Sequence, residues 1–264
     1  MAELAHADQN RTAEFKRLLG QWNVRLGVAL PALIIGGASA VTEPLAGLII
    51  FVVLLLIALG VVFWIADSRA GKSFFDEYAN SRNLVPSKEP LGRQTELLRS
   101  GDGQVTIRRW DGQLAPGLPG SVAHWSYAER NTGHDGSPHS QWFEHTVVMI
   151  PLDGLRDKLV EVNVSPAGGS PRSELERLRL ESHELDELYD VSVHRDQDPN
   201  FVHRVFSPSF IVWLTEGHRP FQFGRGVLIT SRPGHASSAA ALDGQIAGAC
   251  EIARELNAEA SEGA

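Results

Sequence analysis

Four histidines, His124, His134, His139 and His145, fall in one stretch of the chain together with Glu129, Asp135 and Glu144. Imidazole and carboxylate are the groups that ligate zinc or manganese and that move protons near neutral pH. His124, His139 and His145 are therefore the candidate metal ligands, and with the nearby carboxylates they are the residues a hydrolase would use. Their spacing is irregular, whereas a tetrahedral site needs three or four converging ligands. The stretch from Asn131 to Ser140 is rich in Gly, Asp, Ser and His without periodicity. It reads first as a loop carrying solvent-exposed histidines.

The other chemical motifs are incomplete. His183-Glu184 begins like a metalloprotease helix, but residue 187, where the second histidine belongs, is Glu. Glu181, Glu184, Asp186, Glu187 and Asp190 read as the solvated face of a helix start, and Asp196 and Asp198 as caps. No G-x-S-x-G elbow is present, and the single cysteine, Cys250, lies on the apolar face of a helix. Gly101-Asp102-Gly103 and Gly224-Arg225-Gly226 lack the remaining residues of a nucleotide loop and read as turns. Arg108 and Arg109 are adjacent, so on a strand they point to opposite faces. No catalytic residue and no cofactor is assigned.

The elements around these residues begin with an uncharged run, Leu45 to Ile65, nearly all Leu, Ile, Val and Phe. Such a run is long enough to cross a hydrocarbon core of about 30 Å. A second apolar stretch, Leu26 to Thr42, precedes it and is rich in the small residues common at transmembrane helix contacts. The two predict a transmembrane helical hairpin over 23–66, after an N-terminal segment 1–22. Arg11, Lys16, Arg17 and Arg25 before it and Arg69, Lys72 and Arg82 after it predict a multi-pass cell-membrane protein with both termini cytoplasmic. Neither span carries an ionisable residue, which argues against a self-contained transporter.

A stalk helix and linker are expected over 67–92, a soluble domain over 93–257 and a loose tail over 258–264. From Glu96 the pattern alternates with period two, with a turn expected at Asp111-Gly112. Strands follow at Val122 to Ala128, Trp142 to Ile150 and around Val162 and Val164, and a hairpin is expected around Gly224 and Gly226. Helical patterns occupy Phe201 to Phe206, Ser209 to Leu214 and Ser237 to Asn257. The fold class expected is α+β: a two-helix transmembrane hairpin, then a mainly antiparallel sheet with a few packing helices. From Ser73 onward 18 Lys and Arg face 27 Asp and Glu, a balance that disfavours nucleic-acid binding.

Leu180-Glu181-Ser182-His183-Glu184-Leu185, continuing through Asp190-Val191-Ser192-Val193, Asp196, Phe201, Pro208 and Leu214, resembles a family of uncharacterised bacterial membrane proteins. The resemblance spans roughly Glu181 to Thr230 plus the hairpin. It implies two N-terminal spans and a cytoplasmic domain, and it carries over no catalytic residue. The reading that follows is a membrane-anchored, non-enzymatic scaffold or sensor acting through its cytoplasmic domain. Its expected partners are the lipid bilayer through residues 23–66 and other membrane or envelope proteins, with homo-oligomerisation compatible. A membrane-tethered hydrolase and a subunit of an oligomeric channel or transporter are the alternatives.

Overall fold

The computed structural model describes residues 49, 52–57, 60–61, 75–132, 138–168, 174–217, 220–236 and 238–262. It divides into two compact units, 1–78 and 79–264. In the first, the two-span hairpin expected over 23–66 is not upheld. With it fall the multi-pass cell-membrane location and the cytoplasmic placement of both termini. Among the described residues no helix is long and apolar enough to cross a membrane. The other expected span, 26–42, lies outside the described residues.

The expected fold class is corrected accordingly. The second unit is built on one nine-stranded antiparallel sheet with a long C-terminal helix. In chain order the strands are β1 (Val85–Ser87), β2 (Gly103–Ala115), β3 (Leu118–Thr132), β4 (Pro138–Pro151), β5 (Glu161–Pro166), β6 (Leu175–Arg177), β7 (Tyr189–His194), β8 (Phe221–Gly224) and β9 (Val227–Pro233). Their spatial order is β1-β2-β3-β4-β9-β8-β5-β7-β6. The helices are α1 (His183–Leu188), α2 (Pro199–Val205), α3 (Pro208–Thr215) and α4 (Ala239–Glu262). Ser182, Asp198 and Ser207 cap the first three through their side chains, and Pro199 and Pro208 occupy opening positions where no N–H is needed. Helix α4 runs on to Glu262, so the tail expected to be loose from 258 is helical to that point.

One expected turn is displaced. Strand β2 passes straight through Asp111-Gly112, and the chain reverses at Pro116-Gly117, where Gly117 has φ +76°. Proline before a left-handed glycine is the signature of a type II turn. Gly112 has a different use: a Cβ there would come within 2.8 Å of Leu84 Cδ2. Its bare backbone lets the chain entering β1 lie close across β2, inside the segment expected to be a linker.

The central strands are buried on both faces. Val122, Ala123, His124 and Trp125 are successive residues of β3 exposed by 1, 0, 3 and 1%. Ala123, Trp125, Val147, Met149, Val227 and Ile229 form one core cluster with Leu91 and Leu98. Those two leucines belong to a strap, residues 91–100, that crosses this face. The opposite face, with Val122, Val148 and Ile150, lies under α4, which packs on β4 and β9. The Ala236 N–H just before α4 donates to Thr146 Oγ1 at 2.8 Å, and Gln245 Nε2 in α4 donates to the Thr146 carbonyl at 3.0 Å.

Two tryptophans on neighbouring strands separate core from surface. Trp125 is 1% exposed and Trp142 is 53% exposed. Trp125→Ala should lower unfolding free energy by about 3–5 kcal/mol, whereas Trp142→Ala should stay within about 0.5 kcal/mol of the parent; urea denaturation followed by far-UV circular dichroism measures both.

Candidate functional site

Strands β3 and β4 pair in unbroken register from Ser121 opposite Met149 to Thr132 opposite Pro138. Their neighbours stop short. Strand β9 pairs with β4 only from Thr146 to Pro151, and β2 reaches β3 only as far as Ala128. Beyond those limits β3 and β4 continue as a two-stranded ribbon. The stop on β9 has a local cause: Pro233 has no N–H to donate, and Gly234, at φ +75°, turns the chain away. The last contact is the Gly234 N–H, which donates to the Glu144 carbonyl at 2.7 Å.

That bond sets the direction of the open edge. Since the Glu144 carbonyl faces the β9 side, the two-residue period of a strand turns the N–H and C=O of Trp142 and Ser140 to the same side. Among the described residues no strand pairs with that side of β4 between Pro138 and Glu144. His139, Ser140, Gln141 and Trp142 are exposed there. Trp142 sits opposite Ala128 and reaches towards Gly103, near Val105 and Ile107, which are also exposed. An unpaired edge of this kind is the form that accepts an added strand.

His124, His139 and His145 lie on or beside this ribbon, but the pleat separates them. His124 stands opposite Thr146 and His145 opposite Trp125, on opposite faces of the sheet. His139 shares the His145 face, but six residues along a strand set the two about 20 Å apart. Among the described residues no group of three or more His, Cys, Asp or Glu could hold a metal. His134 and Asp135 lie outside the described residues. Glu129 stands opposite Gln141, out on the ribbon, and Glu144 faces His235 across 3.7 Å.

Each buried histidine has its own environment. His124 stacks on His235 with centroids 4.2 Å apart and planes 8° from parallel, and it meets the edge of Trp110 at 6.0 Å. Burial, then the neighbouring His235 and Arg108, push its pKa down to about 3. It is neutral at physiological pH. His145 lies between Trp125 and Tyr127, at 6.0 and 5.8 Å, and burial lowers its pKa as well. Neither is placed as an exposed loop histidine.

The remaining acidic and thiol positions are structural. Asp190, expected on a solvated face, is 2% exposed in β7, where it pairs with Arg177 and accepts the Gly168 N–H at 2.8 Å. Asp198 caps α2, and burial raises the pKa of the Cys250 thiol. The residues missed from the sequence are Ser140 and Trp142. The available signal was a large aromatic at the polar end of an otherwise apolar strand.

Fold and ribbon together define an antiparallel single-sheet domain that carries a projecting, open-edged hairpin. No known protein family, curated protein or solved structure matches the chain, so the family resemblance of the stretch from Glu181 gains no support from them.

Because His124 is protonated less readily in the folded chain than at the ordinary 6.5, acid favours the unfolded state. Between pH 6.5 and about 3 the unfolded chain binds a proton that the folded chain does not, so stability falls as pH falls through that window. From pH 7 to pH 5 His124 should account for a loss of about 2 kcal/mol. Urea unfolding at the two pH values should show this loss in the parent and a correspondingly smaller one in His124→Gln.

Proposed function

We propose that the chain is a non-enzymatic scaffold whose ribbon takes up an extended segment of a protein partner as an added strand along the open edge of β4. The observation that carries this reading is the edge itself. Ser140 and Trp142 present main-chain donors and acceptors on a side where no described strand lies. Main-chain bonds of this kind supply affinity, and alternate side-chain pockets supply selectivity.

The ribbon tolerates the change that tests it. Proline at residue 140 would remove an N–H from the open side while leaving the pairing with β3 intact. Displayed libraries of random ten-residue peptides, panned against the full chain, should yield binders with alternating β-branched and aromatic residues. These should lose about tenfold or more in affinity towards Ser140→Pro and towards Trp142→Ala, equivalent to about 1.4 kcal/mol. Amide exchange at Ser140 and Trp142 should slow when a selected peptide is bound. Failure to select any peptide, or equal binding of the selected peptides to Ser140→Pro, would end this reading.

A further inference from the structure

The β8–β9 hairpin turns on two residues, Arg225 and Gly226, at φ +52° and +78°. Two positive φ values in a two-residue hairpin loop make a type I′ turn, whose first position favours Asn or Gly. An arginine there is held in the left-handed region at a steric cost that glycine avoids. The turn is anchored at both ends, by the Arg225 N–H donating to the Val160 carbonyl at 3.1 Å and the Leu152 N–H donating to the Gly226 carbonyl at 2.7 Å. Strained, non-glycine turn residues cluster where a side chain is needed.

Two other segments close around this turn. A Cβ on Gly226 would meet Arg156 Cβ and Nε at 3.0 Å, so Arg156 lies directly across it. From the other side comes the strap: a Cβ on Gly224 would collide with the Gln94 carbonyl oxygen. Arg93, Gln94, Arg156, Val160 and Arg225 line a cavity of about 500 Å³. Arg156 is ion-paired with Asp153 at 2.9 Å, but among the described residues no carboxylate pairs with Arg93 or Arg225. Gln94 Oε1 is buried with no hydrogen-bond partner among the described residues. Three guanidinium groups thus gather in a chain that carries a net charge of −8.

We propose that this cavity binds a small phosphorylated molecule. Two guanidinium groups without a carboxylate partner match the charge of a phosphate monoester dianion, and their forked N–H groups match its oxygens. The volume exceeds what a bare phosphate needs and lies in the range of sites for small organic ligands. Val160 supplies an apolar wall. The ligand stays chemically unchanged.

Isothermal titration of the full chain with inorganic phosphate and with glucose 6-phosphate, at ionic strength matched with sodium chloride, tests the proposal. Both probes should bind saturably. Arg93→Ala and Arg225→Gly should each weaken both by about tenfold or more. Arg225→Gly also relieves the left-handed arginine, so its melting temperature should equal or exceed the parent's, which separates lost binding from lost folding. No saturable binding of either probe, or unchanged binding by Arg225→Gly, overturns the site.

Discussion

Burying both faces of the central strands is the constraint on which the rest of the second unit rests. Consecutive residues of β3 from Val122 to Trp125 are all withdrawn from solvent, so a single covering layer is insufficient. One cover is the long helix α4, whose Leu242, Ala249, Ala253 and Leu256 are buried. The other is the strap, which is too short to hold itself down by apolar area alone and is tied by polar bonds. Leu91 N–H donates to Thr106 Oγ1 at 3.1 Å, Leu97 N–H to Gln222 Oε1 at 2.9 Å, and Asn163 Nδ2 to Glu96 Oε2 at 2.7 Å. Arg99 adds an ion pair, its Nη2 donating to both oxygens of the buried Glu161 at 2.8 Å. Charge-assisted bonds are among the stronger polar contacts, which suits a segment that must be held in register over a sheet.

The two covers also define where the sheet can meet other molecules. Helix α4 and strand β9 end their coverage of β4 at Thr146 and Gly234, and past that point the strand continues without a neighbour on that side among the described residues. Towards the other end of the strap, the crossing over Gly224 brings Arg93 and Gln94 up to the hairpin turn and creates the arginine-lined cavity. Ribbon and cavity are therefore both consequences of how far each cover extends. The buried histidine under α4 belongs to the same account: a neutral imidazole stacked on His235 serves as a flat packing unit, and its low pKa expresses the desolvation that the cover imposes.

Much of the local structure is legible in residue order. Alternation at Val162 and Val164 marks a strand, Asp198-Pro199 marks a helix start, and Leu242, Ile246, Ala249, Ala253 and Leu256 mark one buried helical face, because these signals depend only on neighbours a few residues away. Legibility fails where distant chain intervenes. Asp111-Gly112 has turn chemistry, yet Gly112 is spent on the close approach of Leu84, 28 residues earlier in the chain. The histidine stretch looked like a loop because polar residues crowd it, yet strands reach Thr132 on one side and start again at Pro138 on the other, each stabilised by the partner strand. The apolar run before residue 66 suggested a membrane hairpin on length and composition alone, whereas no described helix in the chain meets that requirement.

Residue order by itself determined which segments alternate, which begin with a cap, and that no complete catalytic motif is present, since each of these is a property of a short window. The register that sets His124 opposite Thr146, and so turns His124 and His145 to opposite faces, was not among them. Tertiary structure alone decided that β9 stops short of the ribbon, and that Arg93, Arg156 and Arg225 meet around one cavity. Those facts come from separate segments brought together by the two covers, and contacts made across such separations leave no trace in local spacing.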